Sequence, residues 1–362
     1  MTPLDIIQHA GTNLPISYTK SFKESLIGKL KDFGELINRL KYSSNLHFDI
    51  KQLQERSLIL QRGILKTLDA YYEGNPSKSY NMLCETLKDC KINEYLDKEH
   101  YLPSNSSLFR IRTCEENYPL SKRELFHIPF EMRGKVKTQR YSIPGLPSLY
   151  LANSIFTAWE ELKRPPAQSI HAIKLTNNLD LRLLDLTTDF FAQPTQFLGE
   201  IVDDKKIEYN LMVWPLLAAC SFKVLSADDP FKPEYIIPQL LLQWAKKELV
   251  DGIKYSSTHI DLNTSKHGGF FYNIVLPVKN CNIEEGYCSK LINMFKSTQV
   301  LPYSLSEIVT SSNRFYAQGS IHSKINKDIR KIEIIKAHPQ PYYQTIFGIL
   351  EHNLNALKLE DF

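Results

Sequence analysis

The sequence lacks the features that would direct the chain out of the cell or into a membrane. Its first residues carry no basic region followed by an apolar run, so we expect no secretory signal peptide. The longest apolar stretches, at 211–220 and 235–245, are too short or too interrupted to span a bilayer. These absences predict a cytoplasmic protein without membrane contact.

The chain also has few cysteines and a small net charge. Six cysteines are scattered through 362 residues, with no C-x-x-C pair and no zinc-ligand spacing, so we expect reduced thiols and no metal site. The formal net charge is only +4, which by itself indicates neither a nucleic-acid surface nor an acidic partner. What remains is a chain with 43% hydrophobic and 23% charged residues, typical of a globular protein.

Residues 1–105 predict a helical domain. After Ser21, apolar side chains recur at steps of three and four, which is typical of one buried helix face: Phe22, Leu26, Leu30, Phe33, Leu36, Ile37 and Leu40. A second run begins near Asp49 and ends at Gly74, and Asn75-Pro76-Ser77 is a start signal for a third helix. We expect this domain to serve packing, oligomerisation or sensing, and we expect a homo-oligomer.

A polar segment at 103–107 predicts a domain boundary, and residues 106–362 predict a second domain. Short β-like runs there alternate with helical stretches. The predicted strands are 108–112, 148–151, 170–175, 179–186, 252–257 and 270–276, and the predicted helices are 153–162, 194–202 and 235–249. An amphipathic segment at 342–357 closes the chain. This mixed order favours an α/β or α+β class.

The most informative stretch is 139–162. Arg140 leads into the turn Pro144-Gly145-Leu146-Pro147, which is followed by a short apolar strand, a polar cap and a helix with adjacent Glu160 and Glu161. A cation and a carboxylate therefore stand at the two ends of one loop–strand–helix unit. This arrangement suits a ligand that carries a phosphate and a carbon centre that becomes cationic.

This stretch resembles the RES domain, a family named for its Arg, Glu and Ser. The resemblance rests on the order and spacing of the arginine, the Pro-Gly-x-Pro turn, a strand containing Tyr150, the cap Ser154 and the glutamates. Three positions depart from the family pattern: Gln139 for Gly, Tyr141 for Trp and Ser142 for Asn. The resemblance covers roughly residues 108–290.

The resemblance assigns the family residues to this chain. Arg140 is the family arginine, and Glu161 is the glutamate, with Glu160 as the alternative one residue away. The serine is Ser257, with Ser256 as the alternative, at the end of a predicted strand that follows a helix. The gap between the glutamate and the serine is longer than in compact members of the family and predicts an insertion.

Three further residues are candidates for contacts with the substrate. Arg110 matches an aromatic–arginine strand that opens RES domains, and its other interpretation is a solvated surface arginine. His127 lies in an apolar run, where a histidine is more often a structural residue with satisfied hydrogen bonds. Tyr150 ends a strand, where its ring stacks on a flat heterocycle or simply belongs to the core.

The resemblance implies an α+β domain with an ADP-ribosyltransferase-like mixed sheet, and NAD as the substrate. The implied reaction cleaves the nicotinamide–ribose bond without a metal, and the acceptor is water, phosphate or a protein side chain. The implied biology is a toxin or defence effector with an antitoxin or sensor protein as partner. The alternatives are an ADP-ribosyltransferase, a non-enzymatic RES-like interaction protein and, least supported, a nucleic-acid binder.

Overall fold

The structure is a computed structural model, and it describes residues 2–11, 14–41, 48–96, 101–116, 118–192, 204–247, 250–260, 267–279, 285–306 and 329–362. The predicted helix at 194–202 lies outside these residues. The helices are α1 (Pro3–Gly11), α2 (Phe22–Asn38), α3 (Ile50–Tyr72), α4 (Pro76–Asp89), α5 (Ile155–Glu161), α6 (Asp189–Ala192), α7 (Asp204–Cys220), α8 (Ile236–Lys247), α9 (Ser289–Asn293) and α10 (Ile346–Ala356).

The strands follow the same chain order. They are β1 (Tyr101–Leu102), β2 (Ser107–Thr113), β3 (Ser148–Ala152), β4 (Ile170–Asn177), β5 (Leu181–Leu186), β6 (Gly252–Ser256), β7 (Gly268–Gly269), β8 (Tyr272–Pro277), β9 (Phe295–Ser297), β10 (Leu301–Pro302), β11 (Ile329–Ile335) and β12 (His338–Pro341). The α+β class is therefore confirmed. The finer expectation of an ADP-ribosyltransferase-like core stays a prediction.

Capping residues start the N-terminal helices where the sequence predicts. The Ser21 hydroxyl accepts a hydrogen bond from the backbone N–H of Glu24 and begins α2. The Asp49 carboxylate accepts from two backbone N–H groups and begins α3, and Asn75 caps α4 in the same way. Each cap satisfies backbone donors that have no partner inside the helix.

The chain divides into two compact units, and this division differs from the predicted one. The first unit comprises residues 1–100, 138–143 and 184–249, and the second comprises 101–137, 144–183 and 250–362. The polar segment at 103–107 forms a turn between β1 and β2. The Ser104 N–H donates to Asp180 Oδ1 at 2.7 Å, and the Asn105 N–H donates to Asn177 O at 2.8 Å.

In the first unit, α3 packs against α4 and α7. A Cβ at Gly63 of α3 would come within 2.1 Å of the Thr86 hydroxyl of α4, so glycine permits this close helix approach. Phe33 of α2 stacks on Trp214 of α7 with ring centroids 4.2 Å apart. Helix α7 escaped the sequence interpretation because it contains Pro215 and is buried on every side from Tyr209 onward.

Most of a nine-stranded sheet lies in the second unit, in the order β1-β5-β6-β8-β3-β2-β4-β10, with β9 paired to β4 off this path. Its core lies on one face, where Leu149, Leu151, Ile274 and Leu276 join Phe126 and other apolar side chains. Strand β2 pairs with β4 over its full length but with β3 at one residue pair, Phe109 with Ala152. The sheet therefore has a weak seam between β2 and β3.

Candidate functional site

The predicted turn, strand and helix are present in the second unit and follow one another along the chain. Gly145 has a φ of +77°, a left-handed conformation that the turn before β3 requires of glycine. After β3, Asn153 donates from Nδ2 to Phe270 O at 2.8 Å and accepts from the Tyr272 N–H at 3.1 Å. Ser154 then caps α5. These bonds set the direction in which α5 leaves the sheet.

The two adjacent glutamates of α5 have different environments. Glu160 is 5% exposed and forms an ion pair with Arg164 Nε at 2.9 Å, one helical turn further on. Glu161 is partly exposed and accepts a hydrogen bond from Asn273 Nδ2 at 2.9 Å. The Asn273 side chain is 4% exposed, so it is a rigid neutral donor. Glu160 is therefore a buried carboxylate engaged in an ion pair, whereas Glu161 is the more exposed of the two carboxylates.

Register places further polar residues on the sheet face that carries Asn273. Asn273 of β8 lies between Ala152 of β3 and Tyr255 of β6, and cross-strand partners share a face. Tyr150, two residues before Ala152, shares the same face. Burial raises the pKa of Tyr150 well above its usual range. The phenol therefore stays neutral at physiological pH.

The two candidate serines lie on opposite faces of the sheet. Ser256 pairs with Tyr272, so it lies on the sheet face opposite Asn273. Ser257 continues the pairing through a 3.4 Å hydrogen bond from its N–H to Phe271 O, which returns it to the Asn273 side. Its hydroxyl accepts from the His259 N–H at 3.2 Å in a local turn. The geometry favours Ser257 over Ser256.

Arg110 lies at the seam between β2 and β3. Its Nη1 donates to Tyr150 O at 3.0 Å, which joins the two strands beyond their single backbone pair. Its Nε is buried and has no hydrogen-bond partner among the residues that the structure describes. Burial, opposed by Tyr150 and reinforced by Arg112, lowers the pKa of Arg110 to about 10, so the guanidinium remains charged at neutral pH.

Arg140 belongs to the first unit. Its Nη1 donates to Cys220 O at 3.0 Å and its Nη2 donates to Phe222 O at 2.8 Å. The guanidinium also lies over the ring of Tyr235, 5.4 Å from its centroid. A cation that binds carbonyls at the end of α7 acts as a helix C-cap. The other predicted site residues belong to the second unit.

His127 is a structural residue in this fold. It is 1% exposed, its Nδ1–H donates to Ile128 O at 2.8 Å, and its Nε2 accepts from the Cys288 N–H at 2.9 Å. Burial, reinforced by Arg110, lowers the pKa of His127 to about 4. Both ring nitrogens are therefore occupied by backbone groups, and nothing about His127 supports contact with a substrate.

Sequence reasoning missed Asn273 and Tyr255. A signal for Asn273 was present, because one amide interrupts the apolar run Tyr272-Asn273-Ile274-Val275-Leu276. Among the described residues, no three His, Cys, Asp or Glu side chains come together as metal ligands. None of the described helices is long and apolar enough to cross a membrane.

The candidate site therefore centres on a partly exposed carboxylate on an α+β scaffold, and the chain that carries it is similar to a known protein. That relative, from Bacillus subtilis strain 168, is named "Putative toxin YopC" and is 33% identical over 285 residues. The matched segment covers 73% of this chain and 62% of the relative, so the chain spans less than two thirds of that protein's length. No protein-family model matches the chain, and no solved structure matches it.

Proposed function

We propose that this protein is a RES-type enzyme that cleaves the nicotinamide–ribose bond of NAD. The observation that carries the proposal is the pairing of Glu161 with Asn273. No lysine or arginine of the described part of the chain forms a salt bridge with Glu161, so its negative charge is available to a ligand. A carboxylate held by one neutral amide is suited to stabilise a developing cation.

The chemistry follows from this charge. When the C–N bond to nicotinamide breaks, its electron pair leaves with the neutral pyridine, and the ribose carbon becomes cationic. Glu161 stabilises that cation, and the Asn273 amide holds the carboxylate in one orientation. An oxygen of water, phosphate or a protein side chain then bonds to the ribose carbon and loses its proton. Ser257 and Tyr150 border the same face, which supports a role for both in orienting the substrate.

The diphosphate of NAD needs a cation, and two arginines compete for this role. Arg110 is a buried charge with an unpartnered Nε, which is costly unless an anion compensates it. Arg140 is the family arginine by sequence, but two of its nitrogens already bind backbone carbonyls. Register pairs Phe109 with Ala152 on the Asn273 face, so Arg110, the next residue, lies on the opposite face with Ile173. The geometry therefore favours neither arginine as the diphosphate contact beside Glu161.

We further propose that the protein is a toxin. The name of the Bacillus relative supports this role, and consumption of NAD harms the cell in which it occurs. A toxin of this kind requires restraint, so an antitoxin is the expected partner. Induced expression should stop growth of a host cell, whereas the Glu161→Gln variant, produced at the same level, should not.

Incubating the purified full chain with NAD and measuring free nicotinamide tests the enzymatic proposal. Glu161→Gln should slow release by roughly two to three orders of magnitude. Glu115→Gln, the same change at an exposed position of the second unit, is the matched control. The second product identifies the acceptor as ADP-ribose, a phosphorylated ADP-ribose or a modified protein. A folded chain that leaves NAD intact would favour the non-enzymatic interaction protein.

A further inference from the structure

Helix α5, which carries Glu161, is too short to hold its own position. It contains seven residues, and isolated helices of this length are unstable in water. Its orientation therefore depends on packing and on the groups that bind its free N-terminal N–H groups. The Ala158 N–H already bonds to Ser154 O, which leaves three donors to satisfy: Ile155, Phe156 and Thr157.

The C-terminal part of the chain binds one of these three donors and lies beside a second. The Ser154 hydroxyl accepts from the Thr157 N–H at 3.0 Å, as a local cap does. The Ile155 N–H donates to Glu351 Oε1 at 2.7 Å, across 196 residues. The hydroxyl of Tyr342 donates to the same Glu351 Oε1 and lies near the backbone of Phe156. The end of the chain thus supports the start of α5.

This cap is fully buried. Glu351 is 1% exposed and Tyr342 is 0% exposed. Glu351 Oε2 has no hydrogen-bond partner in the described part of the chain, which is an unfavourable state for a buried carboxyl group. Phe347 of the same helix, α10, packs on Phe156 and Trp159 with ring centroids 5.5 and 5.0 Å away. Helix α10 therefore contacts α5 along both of its turns.

The geometry points to Glu351 and Tyr342 as positioning residues that hold α5 so that Glu161 keeps its hydrogen bond to Asn273. Glu161 lies six residues beyond Ile155, about 9 Å along the helix axis. A shift at the capped end is transmitted to the carboxylate, because so short a helix moves as one rod. The catalytic consequence rests on the proposed function, whereas the ordering of α5 does not.

The test uses four variants of the full chain and two measurements. Glu351→Leu and Tyr342→Phe each remove one partner of the cap, whereas Glu351→Gln keeps the accepting Oε1. Glu360→Gln removes an exposed carboxylate of the C-terminal segment and is the control. Hydrogen exchange of the amides at 155–161 reports on α5, and the kcat and KM of nicotinamide release report on Glu161.

We expect Glu351→Leu and Tyr342→Phe to accelerate exchange at 155 and 156 about tenfold and to lower kcat about tenfold with KM little changed. Glu351→Gln and Glu360→Gln should stay within about threefold of the parent in both measurements. If Glu351→Leu does not fold, Tyr342→Phe decides. Parental exchange in the cap variants, or a Gln variant as damaged as Leu, would overturn the inference. A parent without NAD turnover refutes the proposed function alone, and the exchange data still decide the positioning role.

Discussion

The two compact units use their buried charged groups differently. In the first unit, Arg56 donates to the Tyr95 hydroxyl at 3.0 Å and to Glu94 at 2.9 Å, and Tyr95 donates to Glu208 at 3.1 Å. In the second unit, Arg110 Nε and Glu351 Oε2 are buried without partners among the described residues. Each unit also holds one buried carboxylate with an Oε2 that has no partner among the described residues, Glu234 in the first and Glu351 in the second. The contrast therefore lies in the arginines: Arg56 pairs with Glu94, whereas Arg110 Nη1 binds a backbone carbonyl and its Nε has no described partner.

Native proteins satisfy nearly all buried polar atoms, so the unpartnered Nε of Arg110 needs an explanation. Arg110 is in the same unit as Glu161, the partly exposed carboxylate. Arg140 resembles Arg56 rather than Arg110, because two nitrogens of its guanidinium donate to backbone carbonyls of the first unit. The following predictions test this contrast.

Deleting residues 1–100 should have the largest effect. Helices α7 and α8 belong to the same unit as α2, α3 and α4 and pack against them. The deletion exposes apolar side chains of α7 that are buried in the intact chain, so we expect aggregation during size-exclusion chromatography. A monodisperse fragment of residues 101–362 with cooperative unfolding would show instead that the predicted boundary near 105 separates independent domains.

Substituting Glu161 and Glu160 by Gln, one at a time, should separate an effect on turnover from an effect on stability. Glu161→Gln should lower turnover roughly 100- to 1000-fold at an unchanged melting temperature. Glu160→Gln should do the reverse, with near-parental turnover and a loss of about 1 kcal/mol in unfolding free energy, because the partner Arg164 is half exposed. Steady-state kinetics and urea unfolding of both variants measure this. The opposite ranking would mean that Glu160 is the family glutamate.

Arg140→Ala should lower the free energy of unfolding by about 1–3 kcal/mol, because two charge-assisted hydrogen bonds to the end of α7 are lost. Turnover per folded molecule should then change little. Arg123→Ala, at an exposed arginine, is the control. The sequence-based hypothesis of a diphosphate anchor predicts the contrary result, a parental melting curve with a KM raised tenfold or more.

The smallest effect concerns pH. Burial raises the pKa of Glu351 to about 8 from an ordinary value of 4.5, so the folded state holds this proton more tightly than the unfolded state. The contribution of Glu351 to stability is full below pH 4.5 and is lost as pH rises toward 8. Glu351→Gln should flatten this decline in unfolding free energy, by at most ~1.4 kcal/mol per pH unit, in urea unfolding measured from about pH 5 to 9. Parallel curves for parent and variant would contradict the assignment.

Local sequence determined much of the fold. The N-caps Ser21, Asp49 and Asn75 and the spacing of apolar residues locate α2, α3 and α4, because a helix start needs only groups within three residues. The strand predictions near 108–112, 148–151 and 170–175 also match β2, β3 and β4. The α+β class follows from this order of elements.

Only the tertiary structure decided which polar groups meet. Helix α7 is apolar on all sides from Leu211 onward, so that part carries no helical periodicity, and its packing joins residues 184–249 to the N-terminal helices. The contacts of Glu161 with Asn273 and of Ile155 with Glu351 span 112 and 196 residues. Contacts this distant in sequence depend on strand register and helix packing, which no local pattern of residue types specifies.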